Sequence, residues 1–170
     1  MSSEDVVIRS IGLRDLTTVQ NLFELAVVDG GDPTEQLHDN IDMVRWQMKR
    51  VRQQLFADEV YIGYIAEQGD EAIGYIAIVL IEHGSVFAIN VFAEVQELFV
   101  VASHRGGTIE QRLLEAALAT VESLGVRHVV FDVPVQATAQ IGLLDSKGFE
   151  AKSTRMILEV GTASPDSTGD

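Results

Sequence analysis

Alternating apolar positions, and apolar positions recurring in steps of three and four, divide the chain into strands and helices. Val6 and Ile8 share one side of an extended segment over 5–10, with Val7 and Arg9 on the other. Leu16, Val19, Leu22, Phe23 and Ala26 fall on one stripe and predict a helix over 13–27, closed by Asp29-Gly30-Gly31. Asp32-Pro33-Thr34-Glu35 then starts a second helix. The Asp caps, the Pro suits the first helical position, and the Glu completes a capping box. Leu37, Ile41, Val44, Met48, Val51 and Leu55 continue this helix to Phe56 as its apolar stripe. Arg45, Arg50 and Arg52 lie off the stripe, where a solvated face is expected. Trp46, on the same helix, is expected in the core or in the wall of a pocket.

Two strand runs, 60–67 and 72–81, flank the turn Gln68-Gly69-Asp70-Glu71 and predict a hairpin. His83-Gly84-Ser85 breaks the pattern. The apolar piece over 86–92 is open to three readings: an extended hairpin, a pocket lining or a dimer contact. In the next strand, strict alternation puts Val95, Glu97, Phe99 and Val101 on one face and Glu94, Gln96, Leu98 and Val100 on the other. Residues 103–108 are turn chemistry. Ile109, Leu113, Ala116, Ala117 and Val121 then recur at helical spacing, up to a Gly125 cap. A strand over 128–133 stops at Pro134, a short helix follows over 137–147, and Gly148-Phe149 leads to a last strand over 151–160. Residues 161–170 offer little to bury and are expected to be disordered, leaving one domain over 1–160. The order is strand, helix, helix, three strands, helix, strand, helix, strand, which is a mixed α/β pattern around one sheet.

Charge narrows the classes of partner. There are 26 acidic and 12 basic side chains, a formal net charge of -14. That balance argues against nucleic acid, whose phosphates need Lys and Arg. It suits a cationic substrate such as an amine, and equally a protein kept soluble by its charge. There is no cysteine, so disulfides, thiolate metal sites and a Cys nucleophile are excluded. His38, His83, His104 and His128 show no metal-ligand spacing, and no metal is expected. No serine stands in a Gly-x-Ser-x-Gly context. An acidic start and apolar runs too short for a bilayer lead to the expectation of a cytoplasmic protein without a membrane partner.

The chemistry concentrates between Glu94 and Leu118. A strand runs into a Gly-Gly loop that opens directly into a helix, gathering free backbone N–H groups and a positive dipole end. Such a place suits an anion. The stretch resembles the acetyl-CoA-binding motif of the GNAT N-acetyltransferase superfamily. Leu98-Phe99-Val100 matches the strand end, Arg105 the Arg/Gln of the loop, Leu113-Leu114 the helix, and Gly148-Phe149 the pair after the last helix. The order of elements matches from about residue 5 to 160.

The resemblance implies a GNAT fold of the α/β (α+β) class, a mixed and mostly antiparallel sheet flanked by about four helices. It implies acetyl-CoA as co-substrate. The pantetheine arm would lie on Phe99 and Val100, and the pyrophosphate on Arg105, Gly106, Gly107, Thr108 and Ile109. It further implies an acyl transfer to an amine of a small molecule or protein, with Glu97 taking the proton. Glu94 is a second candidate, expected on the opposite strand face. A homodimer is the default for such a domain. The chain departs from the family pattern at four positions. Thr108 and Glu110 stand where glycine or alanine is usual, Leu144 where a Tyr acid is usual, and Ala137 where an Asn often precedes it. Ser146 lies on a different face of that last helix. Two functions follow: an acyl-CoA-dependent N-acetyltransferase, or a catalytically inactive domain of this fold that senses a ligand or binds a protein.

Overall fold

A computed structural model describes residues 6–30, 41–84 and 90–153. Its contacts divide at Pro134 into a larger unit and a smaller one beginning at Val135. Among the described residues the larger unit is built on a five-stranded sheet in the order β1-β2-β3-β4-β5. These strands are β1 Val6–Ser10, β2 Tyr61–Gln68, β3 Glu71–Glu82, β4 Val91–Val100 and β5 Val129–Phe131. The first three pairings are antiparallel and β4–β5 is parallel. The mixed, mostly antiparallel sheet expected from the sequence is therefore what forms.

Helices α1 Leu16–Gly30 and α2 Ile41–Ala57 cover one face of the sheet, and α3 Ile109–Ser123 belongs to the other. Cross-strand partners share a face, so the pairs Tyr75–Phe99 and Ala77–Glu97 mark the α1–α2 side. There Ile65, Tyr75, Ala77 and Phe99 bury against Ile11, Val19 and Leu22. On the opposite side the Tyr64 hydroxyl meets Thr120 Oγ1 of α3 at 2.6 Å. Leu113, Leu114, Ala117 and Val121 make the buried stripe of α3, the helical period expected from the sequence.

A 3-10 turn over Leu13–Asp15 leads into α1. The Gly12 N–H donates to Asp15 Oδ2 at 2.8 Å, and Arg9 holds the same carboxylate at 2.8 Å while reaching Glu67. The β2–β3 hairpin turns at Gly69, with φ 61°, in the expected place. Asn90, Val91 and Phe92 extend the β3–β4 hairpin: Val91 pairs with Glu82, Phe92 with Ile81, and His83 N–H donates to the Asn90 carbonyl. The rest of that apolar piece, the capping residues Asp32 to Glu35, and all but the start of the strand expected over 151–160 lie outside the described residues. Among the described residues no helix is long and apolar enough to cross a membrane.

The smaller unit holds α4, Thr138–Ser146, whose Leu144 is buried. The chain leaves α4 through Gly148, with φ 84°, and Phe149 N–H donates to the Leu144 carbonyl. A positive φ of this size favours glycine.

Three expectations about α2 fail. Val51, expected on its apolar stripe, is 53% exposed. Trp46 is 61% exposed, with the Arg50 guanidinium 5.5 Å from its ring. Arg52, expected in solvent, is 3% exposed, the most deeply buried charged residue among the described residues. An amphipathic stripe marks which helix face turns inward, but not which polar residue at its border finds a partner there.

Candidate functional site

β4 and β5 run side by side for three residues and then separate. Ala93, Glu94 and Val95 pair with Val129, Val130 and Phe131, where β5 ends. Among the described residues, β4 continues to Val100 paired only with β3. A free strand edge therefore runs over residues 96–100 and leads directly into the loop before α3.

A β-bulge sets which groups this edge presents. The register with β3 jumps at Ala77/Ile78: Glu97 faces Ala77, Val95 faces Ile78, and Gln96 is the extra residue. Two backbone bonds show the consequence. Before the bulge, Ala93 N–H donates to the His128 carbonyl, toward β5; after it, Val101 N–H donates to Ile73 O, toward β3. The two residues are eight apart and would point the same way in an unbroken strand. By this alternation the N–H and C=O groups of Leu98 and Val100 turn to the free edge, while the backbone of Phe99 turns to β3. Phe99 instead contributes its ring, buried on the α1–α2 side.

The bulge also corrects the facing of the acids. Strict alternation put Glu94 and Glu97 on opposite faces, and Val95 with Glu97. The observed partners Val79 and Ala77 are two apart on β3, so Glu94 and Glu97 share the α1–α2 face and Val95 turns to the other. Glu94 accepts from Gln96 Nε2 at 3.0 Å.

Glu97 is the better placed of the two acids. Its side chain is 19% exposed, and Arg52 Nη2 donates to both carboxylate oxygens, at 3.2 and 3.4 Å. Arg52 Nη1 donates to Gln20 Oε1 of α1 at 2.7 Å, and the guanidinium lies 5.3 Å from the Phe23 ring. Among the described residues the hydroxyls of Tyr61 and Tyr75 are buried here without a hydrogen-bond partner. Burial first, and the Glu97 charge second, raise both phenols above the usual range. Neither tyrosine gives up its proton in neutral solution.

The loop after β4 carries the other candidates. A 3-10 turn over Ala102–His104 precedes Arg105. His104 is fixed between Ser103 Oγ at 2.9 Å and Gln68 Oε1 at 3.0 Å, tying the loop to the end of β2. Arg105 Nε donates to the Val100 carbonyl at 2.7 Å, its Nη2 reaches Asp29 of α1 at 2.8 Å, and its guanidinium lies over Phe99 at 5.1 Å. Gly106 takes φ 76°, as only glycine does easily, and a Cβ added at Gly107 would make only an ordinary contact, 3.8 Å from the His104 carbonyl oxygen. Thr108 adopts φ -91° and ψ 0°, so this β-branched residue is not forced to a positive φ. Its side chain does not cap the helix. The first helical bond of α3 runs from Arg112 N–H to the Thr108 carbonyl, so the N–H groups of Ile109, Glu110 and Gln111 precede the ladder. Ile109 itself is buried. Glu110 Oε2 is buried and accepts no hydrogen bond, so it does not occupy those N–H groups.

The structure thus brings Glu97, Arg52 and Gln20 together on one sheet face. At the end of β4 it brings together the free edges of Leu98 and Val100, Arg105 and the start of α3. Sequence reasoning missed Arg52, Gln20 and the part of Leu98. The signal for the first two was a basic side chain beside a helix stripe, with its acid 45 residues away. The signal for Leu98 was masked by the bulge.

Comparison with known proteins agrees with this geometry. The family model described as Acetyltransferase (GNAT) family matches residues 30–149. No curated protein matches the sequence. Among solved structures, one described as a predicted acetyltransferase from Clostridium acetobutylicum, with acetyl-CoA, aligns with a TM-score of 0.76 at 15% identity, over 91% of this chain and 96% of that one. A GCN5-related N-acetyltransferase from Ralstonia eutropha JMP134 aligns with a TM-score of 0.72 at 19% identity, over 92% and 99%. An aminoglycoside acetyltransferase from an uncultured soil metagenomic sample, in complex with trehalose, gives 0.71 at 13% identity, over 94% and 99%. At these identities the structures establish a shared fold, and the family model covers most of the chain. The chain belongs to the GNAT acetyltransferase family.

Proposed function

We propose that the protein is an N-acetyltransferase that uses acetyl-CoA and acetylates a primary amine of a small molecule or a protein. The observation that carries this reading is the free edge of β4 beyond the Val95–Phe131 pair, which leads into uncapped N–H groups at the start of α3. An extended amide-bearing arm pairs with such an edge as a strand would. An anionic pyrophosphate suits the exposed loop and the positive end of a helix.

The residues present fit this ligand. Thr108 blocks no backbone donor and needs no positive φ, and Glu110 does not fill the helix start. On this reading Leu98 and Val100 hold the arm through their backbones, while Arg105, Gly106, Gly107, Thr108 and Ile109 frame the pyrophosphate. Bound acetyl-CoA supplies an activated acetyl group on sulfur. Arg105 fixes the end of the edge through the Val100 carbonyl and anchors it to α1 through Asp29. Glu97 takes the proton that an ammonium must lose before its nitrogen can attack, and Glu94 lies on the same face as a second acid. Leu144 has no proton to give, so the departing sulfur takes its proton from solvent.

The test is calorimetric titration with acetyl-CoA, followed by a thiol-release assay across a panel of primary amines. Saturable binding and amine-dependent release of free thiol are expected. Absence of binding at millimolar acetyl-CoA would end the enzyme reading, whereas tight binding without turnover on any amine would favour a ligand-sensing domain.

A further inference from the structure

Five side chains form one continuous chain from the protein surface to the proposed base. Exposed Arg45 of α2 donates to both oxygens of Glu24, at 2.9 and 2.9 Å. Glu24 Oε1 also accepts from Gln20 Nε2 at 3.1 Å. Gln20 Oε1 accepts from Arg52 Nη1 at 2.7 Å, and Arg52 Nη2 reaches Glu97. The members pass from α2 to two residues of α1, return to α2 and end on β4. Hydrogen bonding and the Arg45 charge hold the Glu24 carboxyl below its usual range, so it stays an acceptor in neutral solution.

The contacts within the chain are unequal. The bond from Arg52 to Gln20 is short. Those to Glu97 are long, and both come from one nitrogen, not from the paired fork that Arg offers a carboxylate at its strongest. Arg52 therefore locates the Glu97 carboxylate without occupying it fully, leaving lone pairs to accept a proton. Arg52 in turn is located by Gln20 and by Phe23 beneath it. A guanidinium this deeply buried needs a carboxylate partner as much as it orients one.

We propose that Arg52 is a positioning residue for the Glu97 base, itself set by Gln20 and Glu24. The proposal rests on the reading of Glu97 as the base. A base displaced by about 1 Å loses on the order of 100-fold in rate. Arg52→Gln is therefore expected to lower kcat by about that factor while leaving the KM for acetyl-CoA within about twofold.

The decisive measurement is a double-mutant cycle with Glu97→Gln. If Arg52 acts through Glu97, then Arg52→Gln lowers kcat in the wild-type background and changes little once Glu97 is gone. Gln20→Leu, which keeps the buried charge, should give a smaller loss of the same kind. Equal losses in both backgrounds would overturn the proposal while leaving Glu97 as base. Full activity of Glu97→Gln would overturn both. Thermal unfolding of each variant separates loss of fold from loss of rate.

A readout independent of turnover is the 15N–1H spectrum of the Arg52 guanidinium. Resolved, slowly rotating N–H signals are expected in the wild type and their averaging in Gln20→Leu. Averaged signals in the wild type would overturn the proposal whatever the enzyme does.

Discussion

Replacing Gly74 by alanine probes the strand pair that carries the candidate site. Gly74 on β3 faces Val100 on β4. A Cβ built there would lie 2.7 Å from the Phe99 carbonyl oxygen, 2.9 Å from Val100 Cγ2 and 3.2 Å from Val100 Cα. Two of these three atoms are backbone, so no rotamer change relieves the contact. The first is about 0.7 Å inside an ordinary contact, and overpacking of this kind costs about 1–3 kcal/mol. Against it stands a gain of up to about 1 kcal/mol from the lower entropy of the unfolded chain. The net expectation is a loss of about 1–2 kcal/mol, or roughly 2–8 °C in Tm for a chain of this size.

Gly63→Ala and Gly142→Ala are the controls. At Gly63 the new Cβ meets only side chains, Ile11 Cδ1 and Tyr61 Cε1 at 2.8 Å and Ile11 Cβ at 3.2 Å. At Gly142, within α4, it meets nothing within 4 Å. Urea unfolding and calorimetry should rank Gly142→Ala above wild type, by up to about 1 kcal/mol, and Gly74→Ala lowest. Because the strain falls on Phe99 and Val100, Gly74→Ala should also weaken acetyl-CoA binding. A Tm at or above wild type for Gly74→Ala would refute the packing argument. A destabilised variant that binds acetyl-CoA as tightly as wild type would separate the β4 end from the ligand.

Four other substitutions have defined outcomes. Gly106→Val forces a β-branched residue to φ 76°; it should cost about 1–3 kcal/mol in chemical denaturation and weaken acetyl-CoA binding. Tyr64→Phe removes the 2.6 Å bond to Thr120 and should cost about 1 kcal/mol, whereas Tyr75→Phe removes a buried hydroxyl that has no partner and should be neutral or stabilising. Burial raises the Tyr75 phenol, so its contribution is present below about pH 10 and fades above it; Tyr75→Phe should soften that alkaline loss in urea titrations. The Asp15 carboxyl is held below its usual value first by its hydrogen bond to Arg9. This contribution is present at neutral pH and lost as the pH falls below about 4. Arg9→Gln should therefore be less stable than wild type at pH 7, with the gap narrowing as the pH falls below about 4, and a constant gap would contradict the assignment.

Much of the fold could be read from periodicity because its elements obey single rules. The β2–β3 hairpin alternates cleanly around a Gly-containing turn, and α3 repeats apolar residues every three or four positions over a buried stripe. The loop into α3 was legible from turn residues followed by a helical period. What could not be read depends on contacts across the fold. One extra residue at Gln96 reverses the facing of everything before it, and only the pairing with β3 reveals it. Arg52 resembles Arg45 and Arg50 along the helix, yet it alone is buried, because Gln20 and Glu97 are brought to it by α1 and β4. Val51 belonged to the apolar stripe on paper and is 53% exposed. Thr108 seemed unsuited to a glycine position, but the positive φ falls two residues earlier, at Gly106.

The most direct test of the account is a crystal structure grown with acetyl-CoA. The pantetheine arm should lie along the free edge of β4, bonded to the backbone of Leu98 and Val100, with the pyrophosphate on the N–H groups at residues 106–111. A nucleotide bound elsewhere, or Glu110 turned into the helix start with the β4 edge left bare, would contradict it.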